Sequence, residues 1–396
     1  MKKAVLTIVL LSVFLGGICF AQSEGDQAYI KAMQANSPQE KATQLKEYIS
    51  KYAGKGGQYD GFAYSFLFLA LIESNKTDAE TLGYGEKALT FPGIEDIIKG
   101  RILMTLASVY ARNPQTAEKA KQFANQLIQH AASSKSKEAE AGNAATWNGL
   151  TGGAHYVMGQ AAEKSKDYKG AVEAYFNAYN ILKKKEILSD IKKMGKSLYE
   201  AGNMAEAEKV FRVIYNTQQD GESLTLLAQC LYKQGKEAEA MAMFKEGFGK
   251  KKTGEMAYNI GVMLAKEAKT NPALTGEAIK YLLDAAGLGT KNPKEAQQAM
   301  NIAQSLFFSQ DKEWNNRVKL IQESNKLIED WAKTLNTKYK DKSEDDLTPD
   351  EKREFRRLNE NIEKEKKIVE GIQAQQKTTM DGFNKALAEA KSRNGR

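Results

Sequence analysis

MGQAAEKSKDYKGAVEAY (residues 158–175), MGKSLYEAGNMAEAEKVF (194–211) and LAQCLYKQGKEAEAMAMF (227–244) are three copies of one pattern. A small residue opens each copy at Gly159, Gly195 and Ala228, and a fourth follows at Gly261; the steps are 36, 33 and 33 residues. Twelve positions on stands an alanine, Ala171, Ala207 or Ala240, and four further on an aromatic, Tyr175, Phe211 or Phe244. A period near 34 with small and aromatic residues in register predicts an array of helix–turn–helix units. The small residues let two helices cross closely, and the aromatic fills the groove toward the next pair.

These residues resemble the tetratricopeptide repeat (TPR) family. Met158-Gly159, Asp167-Tyr168, Ala171, Tyr175 and Ala178 carry the pattern in the first copy. Met194-Gly195, Tyr199, Gly202, Ala207 and Phe211 carry it in the second, and Leu227-Ala228, Tyr232, Gly235, Ala240 and Phe244 in the third. In the fourth, Ile260-Gly261 fits, while Ala278, Leu282 and Ala285 are displaced by five residues after Thr270-Asn271-Pro272. The closing proline of the family is missing from the first three copies, and Lys183-Lys184-Lys185 stands near that place in the first.

Working outward, the expected fold is all-α: a helix–turn–helix (TPR-like) solenoid with a C-terminal long helical hairpin or coiled coil. Residues 1–21 read as a signal peptide, 22–150 as degenerate helical repeats, 151–310 as the TPR-like repeats and 311–396 as the hairpin. In the N-terminal part, Ser37-Pro38-Gln39-Glu40 is a helix start, with Ser as N-cap and Glu40 reaching back to it. Ala53-Gly54-Lys55-Gly56-Gly57 reads as a flexible turn. In the C-terminal part, Trp314, Val318, Ile321, Asn325, Ile328, Ala332 and Leu335 form one seam, and Phe355, Leu358, Ile362, Glu365, Val369 and Ile372 a second. Thr348-Pro349-Asp350-Glu351 starts the second helix. This hairpin either caps the array or binds a partner, and the sequence leaves both open.

Lys2 and Lys3 precede an apolar run from Ala4 to Phe20, the pattern of a secretory signal cleaved after Ala21. An uncleaved anchor is the alternative. Ile18 before Cys19 argues against a lipoprotein. The expected location is periplasmic or secreted, with no stable membrane span after cleavage. Cleavage leaves Cys230 alone, read as a small buried hydrophobe. It also brings the formal charge of the 396-residue chain from +8 to +6, a mild balance that does not call for nucleic acid.

Catalytic motifs are not apparent. His130 and His155 lie in different helices and read as packing or surface residues, so no metal site, catalytic residue or cofactor is expected. Gly195-Lys196-Ser197 resembles the end of a phosphate loop but sits inside a helix of the array. Asn75-Lys76-Thr77 is a formal glycosylation sequon. The expectation is a non-catalytic scaffold for protein–protein interaction in the bacterial cell envelope, binding a peptide or helix. Alternatives are a structural spacer self-associating through the C-terminal coiled coil, or an accessory ligand-binding subunit of an envelope enzyme.

The resemblance implies a groove lined by the first helix of each pair. The positions are Tyr156 and Gln160; Lys192, Lys196 and Tyr199; Gln229 and Tyr232; Tyr258 and Lys266. Lys192 and Lys196, four apart on one helix face, would suit an acidic or carboxylate-bearing segment. Leu226 stands where the family's carboxylate clamp has an asparagine, although Asn259 matches in the next repeat.

Overall fold

The computed structural model describes residues 24–55, 57–136 and 143–395. The expected signal segment 1–21, Gly56 and most of the polar stretch before Asn143 lie outside the described residues. Seventeen α-helices and no strand occur among the described residues. The chain is an all-α helical repeat that divides into two compact units, Met1–Glu206 and Ala207–Arg396.

The first unit contains α1 (Glu24–Met33), α2 (Pro38–Tyr52), α3 (Asp60–Glu73), α4 (Ala79–Ala88), α5 (Asp96–Tyr110), α6 (Ala117–Lys135), α7 (Ala144–Lys164), α8 (Tyr168–Leu182), α9 (Lys185–Glu200) and the first residues of α10 (Met204–Gln218). Successive helices from α1 to α9 pack as antiparallel neighbours, and α5 also touches α3 and α7, the first helices of the adjoining pairs. Hydrogen bonds cross one repeat period: Lys46 to Glu80, His130 to the Asp96 carbonyl and Tyr156 to Asp190 each span 34 residues.

Small residues do what their spacing predicts. Ala171 is fully buried and Tyr175 almost so. A Cβ added at Gly159 would meet the Tyr175 ring at 2.5 Å, so only glycine admits that ring. The first helices of four pairs also end alike. Asn75, Lys166, Gly202 and Gly235 adopt positive φ after α3, α7, α9 and α11, the last spanning Gly221–Lys233 in the second unit. The next N–H reaches back five residues in each case: Lys76 to Leu71, Asp167 to Ala162, Asn203 to Leu198 and Lys236 to Leu231, all at about 3 Å. This is the Schellman closure, which satisfies carbonyls left open at a helix end. Two pairs break the rule at an Asn-Pro step, where Pro114–Thr116 and Pro272–Leu274 form 3-10 turns instead. At the missing-proline positions, Lys183 after α8 and Gln219 after α10 take the left-handed conformation.

Ser37 caps α2 by accepting from the Glu40 N–H at 3.1 Å. Glu40 reaches one residue further back than the capping box predicts, accepting from Asn36 N–H at 3.1 Å. The glycine turn is tied rather than loose: buried Asp60 accepts from Gly54 N–H at 2.8 Å and from the Tyr48 hydroxyl at 3.1 Å.

The second unit contains the rest of α10, α11, α12 (Glu237–Lys250), α13 (Gly254–Glu267), α14 (Thr275–Leu288), α15 (Pro293–Ser309), α16 (Trp314–Lys338) and α17 (Pro349–Arg393). Helices α11 to α15 continue the neighbour packing. Cys230 is fully buried, and burial pushes its thiol up to about 12. In the displaced fourth repeat, Ala278, Leu282 and Ala285 are all fully buried, and Gly261 leaves room for Leu282.

Helices α16 and α17 pack antiparallel: Lys338 and Tyr339 reach Glu354 at one end, and Asp311 accepts from Thr379 at 2.8 Å at the other. Thr348 and Glu351 form a capping box at the expected start of α17. Along α16 the inward positions are Ile321, Ser324, Ile328, Trp331 and Leu335, spaced 3-4-3-4; Asn325 and Ala332 are exposed. The seam expected through Asn325 and Ala332 thus lies one residue off at those two places, where Ser324 and Trp331 face inward. On α17 the expected seam residues from Phe355 to Ile372 are all buried or half-buried. The same spacing continues through Gln376, Thr379, Phe383 and Ala390.

That continuation decides where the hairpin goes. Phe383 and Ala390 join the core of α13, α14 and α15, with Ala257, Leu282, Ala299 and Ala303. Phe383 packs edge-on against Phe307 and Phe308, and Trp314 stacks on Phe308 at 4.1 Å. Asp284, 4% exposed, accepts from Arg393 and Asn394 at 3.0 Å each. The end of α17 therefore caps the final helix pair.

A trio of tyrosine, glutamate and lysine recurs between helices: Tyr84–Glu80–Lys46, Tyr110–Glu86–Lys119, Tyr175–Glu163–Lys193, Tyr215–Glu246–Lys250 and Tyr339–Glu354–Lys338. The hydroxyl donates to a carboxylate that the ammonium also holds. Burial and then the Glu163 charge push the Tyr175 hydroxyl well above its ordinary range, so it remains a donor.

Candidate interaction surface

In the first unit, the first helices of successive pairs (α3, α5, α7 and α9) carry two open clefts that adjoin at Met104. One, about 450 Å³, lies between the end of α3 and α5. Asn75, Thr77, Thr105, Ser108 and Arg112 present polar groups to it, beside Ile72 and Val109. Helical serines and threonines elsewhere in the unit, such as Ser65 and Thr151, donate to the carbonyl four residues back. Thr105 and Ser108 make no such bond, which leaves their hydroxyls for the cleft.

The other cleft, about 710 Å³, lies between α5, α7 and α9. Its floor is Gly149 and Gly153, four apart on one face of α7. Nothing lies within 4 Å of where a Gly149 Cβ would stand, whereas a Gly153 Cβ would meet the Met104 methyl at 2.8 Å. Glycine costs a helix interior about 1 kcal/mol relative to alanine. Here the two glycines bare a strip of backbone and admit Met104. The rim carries Tyr156, Lys184, Glu186 and Asp190.

Of the residues expected from sequence, the first unit holds Tyr156, Gln160, Lys192, Lys196 and Tyr199, all half-buried on α7 or α9. Of these, Tyr156 lines the second cleft. Its hydroxyl donates to Asp190 at 2.9 Å; burial, then that carboxylate, push it up to about 12. Lys192, Lys196 and Tyr199 have partners within the chain. The rim near Tyr156 carries two carboxylates against one lysine, a setting different from the basic face expected for an acidic segment.

In the second unit, Gln229 and Tyr232 are half-buried on α11. Tyr258 donates to Gln298 on α15 at 2.8 Å, and burial raises its hydroxyl. Lys266 pairs with Glu237 at the start of α12 at 2.6 Å. Asn259 donates to the Glu255 carbonyl of its own helix at 2.7 Å, so the clamp asparagine is turned inward.

The histidines serve packing. His130 sits edge-on to Trp147 and contacts the Asp96 carbonyl at 2.9 Å, while burial lowers the pKa of His155. Gly195-Lys196-Ser197 lies inside α9. Among the described residues, no group of three or more His, Cys, Asp or Glu is placed to hold a metal, and no helix is long and apolar enough to cross a membrane.

No protein-family model matches the sequence, and no curated protein matches it at a significant level. Similar solved structures include a tetratricopeptide repeat protein from Parabacteroides merdae, 17% identical, with 70% of this chain and 99% of that chain covered and a TM-score of 0.34. The apo form of RapI is 14% identical, with 77% of this chain and 99% of that chain covered and a TM-score of 0.31.

Proposed function

We propose that this protein is a scaffold of the bacterial cell envelope whose first unit binds an extended segment of a protein partner along the two clefts that meet at Met104. The observation that carries this reading is the pair Gly149 and Gly153 lining one cleft beside the polar side chains of Thr105, Ser108 and Arg112 that line the other. A side chain of the partner seats over the bare strip of α7 against Met104. The neighbouring backbone or a carboxylate bonds Thr105, Ser108 and Arg112, where a planar guanidinium suits a carboxylate. The partner's site is thus apolar next to polar or acidic, and Arg112 takes the place that Lys192 and Lys196 held in the sequence expectation. Export through cleavage after Ala21 belongs to the same reading, checked by the mass of the exported chain.

Gly149→Phe tests the groove directly. A Cβ at that position has nothing within 4 Å, so a larger side chain enters from the open side and occupies the cleft, with circular dichroism to check that the fold is kept. Peptides selected by display against the wild type should lose at least tenfold in affinity for Gly149→Phe and for Arg112→Glu, with helicity unchanged. Undiminished binding to both variants removes the clefts from the function.

A further inference from the structure

We infer that the C-terminal hairpin is a dimerisation surface that pairs with the hairpin of a second copy of this chain. The reading is independent of the clefts in the first unit. Among the described residues few large apolar side chains stay exposed; four of them are on the hairpin, and three of these, Leu320 and Leu327 on α16 and Ile368 on α17, each 41–42% exposed, gather on one flank, while Met380 lies further along α17. Leu320 and Leu327 are seven apart, each one position before the inward residues Ile321 and Ile328, and Ile368 likewise precedes inward Val369. The pairs Lys338–Glu354 and Asp311–Thr379 fix the register, which sets Ile368 level with residue 323, between the two leucines. In antiparallel helices these positions share one flank, so the three form a continuous strip. The opposite flank carries Asn325 and Ala332 on α16 with Lys366 and Gln373 on α17.

Charge selects the occupant. The strip is edged on α16 by exposed Glu323 and Asp330, the former 3.6 Å from Lys319. On α17 it is edged by exposed Arg357 and Lys364, level with the same stretch of α16. One flank is thus acidic along one helix and basic along the other. A twofold axis parallel to the helices lays α16 of each copy over α17 of the other. It brings Glu323 and Asp330 against Arg357 and Lys364 twice, with the apolar strips between them. Such an isologous contact needs a self-complementary face, and this flank is one. The 25 residues of α16 span about 37 Å, and two helices side by side about 20 Å, a face of roughly 750 Å². That is close to the ~800 Å² per partner of a standard interface.

Sedimentation of the full chain over a concentration series tests the inference, with circular dichroism confirming that each variant is folded. All four charged residues are exposed, so their reversal leaves the hairpin seam intact. The wild type should dimerise. Glu323→Lys with Asp330→Lys, and separately Arg357→Glu with Lys364→Glu, should each weaken the dimer at least tenfold, because like charges then face each other. Mixing the two variants should restore association, since each altered α16 meets an oppositely altered α17. A wild type that stays monomeric at every concentration overturns the inference. So do charge variants that dimerise as tightly as wild type, or a mixture that stays apart.

Discussion

The helix pairs and the C-terminal hairpin use the same helical vocabulary to different ends. In the pairs, side chains vanish from solvent: Tyr175, Phe211 and Phe244 are at most 1% exposed, and glycine or alanine lets the backbones close around them. In the hairpin, a single seam runs between two helices. Leu358, Ile362 and Val369 keep 6–8% exposure, and most inward positions of α16 are only half-buried. A helix with neighbours on several sides can surround an aromatic ring; a helix with one neighbour can only cover a stripe. The pairs are therefore stabilised by depth of packing, the hairpin by its length and by where it is fastened.

The largest expected effect tests that contrast head on. Phe244→Ala should cost about 3–5 kcal/mol, and Ile362→Ala about 2 kcal/mol, because the open seam relaxes around the smaller side chain. Denaturant titration of the second unit's signals checks this, and equal costs would erase the distinction. Next comes the fastening. Asp284→Ala removes the acceptor of Arg393 and Asn394 and should cost about 1.5–3 kcal/mol, typical of bonds to a charged group. Hydrogen exchange should then quicken in residues 383–394 while the elbow around Tyr339 and Leu358 keeps its protection.

A third test uses acid. Burial alone would raise the pKa of Glu208, but hydrogen bonds from Lys236, Arg212 and Gln234 outweigh it and bring it from 4.5 to about 2. A carboxyl lowered on folding contributes stability that is fully present above about pH 4.5 and is lost as pH falls toward 2. Glu208→Gln should flatten the stability profile across that window. Glu354, at the hairpin elbow, is lowered chiefly by its bond from Lys338 but is more exposed, 34% against 13%, so Glu354→Gln should flatten it less. The smallest effects lie at the turns. Gly202→Ala should cost about 1 kcal/mol, since φ there is +82°, and Lys166→Gly should gain somewhat less by relieving the same strain. Opposite signs at equivalent turns show that the closure, rather than the residue, is what the repeat requires.

Much of this was legible in the residues themselves. Gly159 with Tyr175 and Ala228 with Phe244 could be read because each copy restates the same residue types at the same spacing. The helix start at Thr348-Pro349 could be read because such signals are local. The α16 seam slipped because Val318 and Arg317 are both half-buried, and only the partner helix decides between Ser324 and Asn325. The clefts were hidden for a different reason. Gly149 and Gly153 lie on α7, Thr105 on α5 and Arg112 just after it, all outside the repeat pattern that residues 158–175 carry. Their common trait, a glycine pair that bares backbone beside unbonded hydroxyls, exists only after those helices are side by side. Lys192 and Lys196 share one face of α9 and line neither of these two clefts.

The bond from Arg393 and Asn394 to Asp284 also has a timetable. It joins residues 109 and 110 positions apart. At ribosomal speeds of about 5–20 residues per second, the face of α14 that receives α17 waits between about 5 and 20 s after its own synthesis for its cover. During that interval Leu282, Phe307 and Phe308 stand open on a nascent chain. Helix α17, made long after α14, is thus the one that closes that surface to whatever else would occupy it.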